Sequence, residues 1–275
     1  MLEAIFLGIV QGLTEFIPVS SSAHIRILGE LLPSAQDPGA TFTAIMQIGT
    51  EIAVLLYFRA DIARLFSASL KWITRGELVG EEKSDARLSG LILLGSLPIF
   101  FLGYFGQEYI RQNFRSLYLI AATLIIFGLL LGVIDNYGKK MKDLDALGAR
   151  DGIAYGIAQS LALIPGVSRS GATIAMGRAL GCKREAALRY SFLLAIPAVL
   201  GSGAFELFNS LSRPLNVFSP GETFVATITA FVIGYLVISW LMKYVQTKSF
   251  MPFVIYRVSL GLLIIGLLLT GTISA

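Results

Sequence analysis

Apolar residues in this chain fall into long runs almost free of charge, and the charges collect in the connections between them. Six runs are long enough to cross a hydrocarbon core about 30 Å thick, which takes roughly 17 to 25 helical residues. They cover 41–58, 88–105, 117–134, 190–208, 223–242 and 253–273. Two further apolar stretches, 2–17 and 152–167, are too short to span and run straight into "IPVSSS" and "IPGVSRSG". Proline, glycine and serine stop a helix there at membrane depth, which is tolerated only where protein or a wet cavity covers the broken backbone. Both stretches are therefore predicted to be re-entrant hairpins. The predicted architecture is an all-α integral membrane protein, one membrane domain over 1–275, with six transmembrane helices and two re-entrant helical hairpins.

The distribution of charge orients this architecture. Sixteen of the 22 lysines and arginines lie in the connections 59–87, 135–151, 176–189 and 243–252, against four in 24–40, 106–116 and 209–222. The positive-inside rule puts the first group in the cytoplasm, so residues 1–40 enter and leave from the outside. Within 59–87, Ile62, Leu65, Phe66 and Ile73 recur at helical spacing among charges, which predicts a helix lying on the membrane surface. With 55% of residues hydrophobic and 15% charged, the composition is that of a membrane protein. Its basic balance belongs to loops beside anionic lipid, and no nucleic-acid partner is expected. A single cysteine, Cys182, excludes an intramolecular disulfide and a cysteine-built metal site.

Shifting the chain by 148 residues lays "GIVQGLTEFIPVSSSAH" over "GIAQSLALIPGVSRSGA", with seven of seventeen positions identical. The matches are Gly8/Gly156, Ile9/Ile157, Gln11/Gln159, Leu13/Leu161, Val19/Val167, Ser20/Ser168 and Ser22/Ser170. An internal duplication follows: a first repeat over 1–134 and a second over 151–275, each a hairpin plus three spans. The topology above inverts one with respect to the other. Inverted repeats with broken helices meet near the midplane, where half-helix N-termini point unpaired N–H groups at a shared ligand, and such a site favours an anion. The repeats differ where chemistry needs them to. Glu15 faces Leu163, Ser21 faces Arg169 and His24 faces Ala172, so one half offers a carboxylate, hydroxyls and an imidazole, and the other a guanidinium with Ser168, Ser170 and Thr173.

Residue by residue, Gln11 and Glu15 share one helical face, and a carboxylate in an apolar segment must be paired, hydrated or metal-bound. His24, the only histidine, follows Ser20 and Ser21 by one turn and is a candidate acid or base. Ser20, Ser21 and Ser22 follow a proline and exceed what a helix cap needs. Ser21 is the candidate nucleophile, with Glu15 and His24 the only local bases. Arg169 is a permanent charge at membrane depth between serines that suit phosphate oxygens, and Thr173 falls on its face. Gln47, Glu51 and Arg257 lie within spans and either line the cavity or pair with one another. Glu206 is expected at an interface, and Gly128, Gly132, Gly261 and Gly266 at helix packing contacts.

"QGLTEFIPVSSSAH" and "PGVSRSGAT" resemble the two signature motifs of the bacterial undecaprenyl-diphosphate phosphatase family of the bacitracin-resistance type. "IMQIGTEIAVLLYF", "SFLLAIPAVLG" and "PFVIYR" extend the likeness over nearly the whole chain. The resemblance implies a membrane hydrolase that takes the terminal phosphate from undecaprenyl diphosphate and returns the carrier lipid to peptidoglycan synthesis. It implies a divalent cation, Mg2+ or Ca2+, and a multi-pass protein of the bacterial inner membrane whose site opens to the extracytoplasmic side; monomer and homodimer both stay open. By motif position, Glu15, Ser21, His24 and Arg169 carry catalysis. Gln11, Ser20, Ser22, Ser168, Ser170 and Thr173 bind substrate, and Glu15 with Gln11 holds the metal. Gln11 stands where many relatives have Glu, and Ala23 where glycine is common. The type 2 phosphatidic-acid phosphatases are excluded, because their motif needs a histidine where this chain has Ala175. The rival from another class is a transporter or flippase of a phosphorylated isoprenoid lipid, built on the same inverted-repeat architecture.

Overall fold

The computed structural model describes residues 1–32, 39–114, 116–138, 141–210 and 218–273. Eleven α-helices follow in order among them: α1 (Leu2–Thr14), α2 (Ser21–Leu31), α3 (Ala40–Tyr57), α4 (Arg59–Arg75), α5 (Gly80–Asn113), α6 (Leu117–Tyr137), α7 (Ala149–Ser160), α8 (Arg169–Ala179), α9 (Arg184–Ser210), α10 (Pro220–Thr247) and α11 (Met251–Leu269). Helices α5, α6, α9, α10 and α11 are each long and apolar enough to cross a membrane, and α3 joins α4 through a 75° bend to make a sixth candidate. The chain is thus a multi-pass, all-helical membrane protein. The six predicted spans fall on α3, α5, α6, α9, α10 and α11, and the two short stretches fold as the broken pairs α1–α2 and α7–α8. Large apolar side chains such as Leu93, Phe101, Val133, Leu236 and Leu262 are exposed on the long helices, as lipid-facing residues must be.

The first helix of each hairpin packs on a long helix from the other part of the chain, α1 along α10 and α7 along α5. Gly8 and Gly156, identical under the 148-residue shift, make these approaches. A Cβ at Gly8 would stand 2.6 Å from the Ala226 carbonyl oxygen, and one at Gly156 would stand 2.5 Å from that of Gly95. Small residues let helix backbones close on one another where no hydrophobic force drives association. We expect Gly156→Leu to force α7 off α5 and to lower stability by about 1–3 kcal/mol, read as a reduced melting temperature in detergent. Of the four glycines expected at packing contacts, Gly128, Gly132 and Gly261 sit in the α6–α11 contact, whereas a Cβ at Gly266 would meet nothing within 4 Å.

The four connections rich in lysine and arginine meet at one end of the bundle. Asp135, 3% exposed, accepts from Arg178 Nε at 2.9 Å, from Arg184 Nε at 2.8 Å and from the Phe250 backbone N–H at 3.2 Å. Asp61 accepts from Arg189 at 2.6 Å, and Arg87 donates to the Asp145 carbonyl at 2.9 Å. In α4, Leu65 is buried and Ile62 packs on the core, whereas Phe66, Trp72 and Ile73 are exposed. The apolar residues of this helix therefore divide between the protein and its surroundings, as befits a helix bent away from α3 at the charged end. The side chain of Glu206 lies outside the described residues.

Candidate functional site

Both hairpins turn at a proline-containing elbow and restart as a helix from a serine in the left-handed region. Ser20 has φ 75° and Ser168 φ 68°, the only non-glycine residues with positive φ among those described. Such a conformation costs on the order of 1–3 kcal/mol and persists only where the surroundings impose it. The two elbows share finer geometry: Ser20 and Ser22 place their hydroxyls 3.2 Å apart, and so do Ser168 and Ser170. Ser168 caps α8 by accepting from the Gly171 N–H at 3.1 Å. In the second elbow Gly166 has φ 90°, and a Cβ there would lie 2.8 Å from the Ile120 carbonyl oxygen, so only glycine fits both the dihedral and the space.

Arg257 of α11 ties the elbows together. Fully buried, it donates to the carbonyls of Pro18 in the first elbow (3.2 Å) and of Gly166 and Val167 in the second (2.9 and 3.0 Å). Further bonds go to Leu124 and Thr123 of α6, at 3.3 and 3.4 Å. This arginine neither lines the cleft nor pairs with Gln47 or Glu51: its guanidinium serves as the solvent of backbone groups that no helix can satisfy.

Between the elbows lies a cleft of about 490 Å³, lined at its polar end by Glu15, Ser20, Ser21, Ser22, Ser168 and Arg169. Glu15 organises this end. Its Oε2 accepts from Ser21 Oγ at 2.6 Å and from Gln11 Nε2 at 2.8 Å, and its Oε1 accepts from Arg169 Nη2 at 2.5 Å. The N-termini of α2 and α8 start at Ser21 and Arg169, so two helix dipoles present their positive ends to the same space. Gln47 of α3 also lines it. Apart from Ser202 and the Tyr104 hydroxyl the rest of the wall is apolar, from α5 (Ile99, Phe100, Tyr104), α9 (Val199, Phe205) and Leu163, the counterpart of Glu15.

Several expected site residues stand behind this lining. Gln11, 0% exposed, reaches the cleft only through Glu15. Ser170 turns toward the Ile17 carbonyl, 3.4 Å away, and borders a smaller pocket behind Glu15 and Arg169. Thr173 donates to the Arg169 carbonyl at 2.7 Å and meets the Ser191 hydroxyl on α9. His24 is held away from the Glu15 cluster. Its Nδ1 donates to the Ser20 carbonyl at 2.7 Å, its Nε2 bonds Tyr256 Oη at 2.7 Å, and the two rings stack 5.6 Å apart at 5°. Gln47 takes the first of the two roles open to it and lines the cleft, and the walls from α5 and α9 are the parts of the cleft that motif reading misses. Nothing in a uniformly apolar helix distinguishes a cleft-facing stripe from a lipid-facing one.

The family model for "Bacitracin resistance protein BacA" matches residues 4–263. The chain is 56% identical to undecaprenyl-diphosphatase 2 of Agrobacterium fabrum over 275 residues, covering all of this chain and 98% of that protein. It is 54% identical over 276 residues to the undecaprenyl-diphosphatase of Micrococcus luteus, again over its whole length and 99% of the relative. Both hairpins and the cleft between them lie inside the matched region, so the chain belongs to the BacA family of bacitracin resistance proteins.

Proposed function

We propose that this protein is a membrane phosphatase that hydrolyses undecaprenyl diphosphate to undecaprenyl phosphate and phosphate. The observation that carries the reading is the Ser21–Glu15–Arg169 chain of hydrogen bonds at the polar end of a half-apolar cleft. A hydroxyl bonded to a carboxylate beside a guanidinium and two helix N-termini is a nucleophile, its base and an oxyanion clamp. The relatives, named as diphosphatases, favour hydrolysis over transport, and no observation favours the transporter. The site opening to the extracytoplasmic face of the inner membrane belongs to the same proposal, supported by the clustering of basic connections at one end.

The diphosphate enters the polar end, and the near part of the isoprenoid lies along Phe100, Tyr104 and Val199. A cleft of about 490 Å³ suits a drug-sized ligand, so the remainder of the tail stays in lipid. Ser21 Oγ attacks the terminal phosphorus and its proton passes to Glu15. The bond from phosphorus to the bridging oxygen breaks, and undecaprenyl phosphate leaves. Glu15 gives that proton up to the departing undecaprenyl phosphate. Water then attacks the phosphoserine phosphorus, and Glu15 takes its proton and returns it to Ser21 Oγ as the Oγ–phosphorus bond breaks and phosphate leaves. Arg169 and the N–H groups at the starts of α2 and α8 hold the phosphate oxygens, and Ser20, Ser22 and Ser168 add hydroxyls. His24 takes part in proton transfer only by giving up Tyr256; Gln11, Ser170 and Thr173 hold the first contacts in place.

A divalent cation, Mg2+ or Ca2+, belongs to this reading. Among the described residues no three of His, Cys, Asp and Glu gather at one point. The donors present are oxygens, namely Glu15 and the amide oxygen of Gln11, which is buried without a hydrogen-bond partner. Hard oxygen donors completed by substrate phosphates are the usual arrangement for Mg2+, so the residues fit. Such an ion would neutralise charge on the departing phosphoryl group.

Purified protein in detergent should release phosphate from undecaprenyl diphosphate when Mg2+ or Ca2+ is supplied and stop when it is chelated. A quenched turnover with substrate labelled in the terminal phosphate should leave label on the protein, and Ser21→Ala should carry none. Label retained by Ser21→Ala, or unlabelled native protein during full turnover, rules out the covalent route; release that ignores Glu15→Ala and Arg169→Ala overturns the site.

A further inference from the structure

Gln47, Glu51 and Val54 lie on one face of α3, four and then three residues apart. Gln47 lines the main cleft with Glu15, Ser21 and Arg169. Val54 lines the smaller pocket, which again contains Glu15 and Arg169, here with Ser170 and Ser191. Glu51 stands between them, on the side of α3 turned to the Glu15–Arg169 pair and within electrostatic reach of both. Its side chain is 1% exposed, and its Oε1 meets no hydrogen-bond donor. The Gln11 amide oxygen, equally buried and next to Glu15, meets none either.

Two carboxylates, one of them bonded by the Gln11 amide, therefore have the same guanidinium as nearby positive charge, and Glu51 and Gln11 each carry a buried oxygen with no donor. Burying a carboxylate oxygen without a donor is costly, and Arg169 alone does not offset that cost, since its guanidinium already binds Glu15 Oε1. A divalent ion is the partner that such oxygens accept. We propose that Glu51 is a ligand of the cation, and that with Glu15 and the Gln11 amide oxygen it forms the protein's share of the coordination shell. This rests on the reading that the phosphatase uses a divalent cation. Arg169 and the cation then share Glu15 as counter-charge, so the bound ion loosens the Arg169–Glu15 pair and frees the guanidinium for phosphate oxygens.

The test is binding of Ca2+ and Mg2+ by calorimetry to the purified full-length protein in detergent, without lipid substrate. Glu51→Gln keeps the shape of the side chain and should weaken binding at least about tenfold, the smallest loss seen when metal sites lose a supporting group. Glu51→Leu should weaken it as much without lowering the melting temperature of the metal-free protein, and Glu51→Asp should restore part of it. Arg169→Met should tighten cation binding, because the competitor for Glu15 is gone. Cation affinity unchanged in Glu51→Gln and Glu51→Leu, with the unsubstituted protein binding normally, overturns the role of Glu51 and leaves the cation reading intact. An unsubstituted protein that binds neither ion and releases phosphate in chelator overturns both, while the phosphatase reading stands.

Discussion

Arg169→Lys protein, folded and supplied with undecaprenyl diphosphate and divalent cation, should release phosphate about 100- to 1,000-fold more slowly than the unsubstituted chain, the loss typical of removing one donor aimed at developing charge. Arg169 is the first residue of α8, so its side chain and the helix N-terminus act on the same oxygens. The planar fork can bind Glu15 with one edge and phosphate with the other, which an ammonium cannot do. Among the described residues only Glu15 holds its guanidinium through a side-chain bond, so the substitution should leave the melting temperature nearly unchanged and the defect in the rate. Glu15→Gln should be slowed to a comparable degree. The double variant should be scarcely slower than the worse single one, because residues acting as a unit are not additive. A lysine variant within about tenfold of the normal rate would remove Arg169 from the transition state in the proposed mechanism.

How much of the molecule is legible in its sequence depends on the kind of information involved. The spans and hairpins are readable because length, apolarity and the prolines at Pro18 and Pro165 are local properties, and membrane depth leaves few ways to satisfy a broken backbone. The repeat is readable too, and some of the residues identical under the 148-residue shift keep one geometric role in both hairpins. Gly8 and Gly156 each admit a neighbouring helix, and Ser20 and Ser168 each turn an elbow, whereas Gln11 bonds Glu15 and the Gln159 amide meets no partner among the described residues. The same comparison points to the unlike pairs for chemistry. Glu15 and Leu163 both line the cleft, as do Ser21 and Arg169, so matched positions of the two hairpins supply unlike chemistry to the same space.

What stays hidden in the sequence are contacts between residues far apart in the chain. The spacing of His24 suggests a base beside Glu15, yet its ring is claimed by Tyr256, 232 residues away. Helical spacing puts Thr173 on the face of Arg169, and it does bond that residue's carbonyl, but its hydroxyl meets Ser191 of α9 instead of the cleft. In each case the local hydrogen-bond opportunity is real and a tertiary partner takes the remaining valence. Arg257 is the extreme example, since backbone carbonyls leave no mark in a sequence.

Arg257→Met should lower the stability of the folded protein by about 3 kcal/mol or more, given that each buried group left without its hydrogen bond costs about 1–3 kcal/mol. Methionine nearly matches the volume of the arginine stem but supplies no donor to the carbonyls of Pro18, Gly166 and Val167. Lysine is no remedy: its donors radiate from a single atom, whereas the guanidinium reaches both elbows and α6 from three nitrogens. The neighbours leave little room to compensate, because a Cβ at Gly171 would stand 2.7 Å from Arg257 Nη1 and one at Gly128 3.2 Å from its Cβ. Thermal unfolding in detergent measures the loss. Phosphate release well below the melting point measures a second effect, since the left-handed turns at Ser20 and Ser168 are held by the surroundings that Arg257 joins. If Arg257→Met melts within a few degrees of the unsubstituted chain and hydrolyses at its rate, the elbows hold themselves. If instead the rate falls before the fold does, the buried guanidinium is what keeps the two halves of the phosphate site in register.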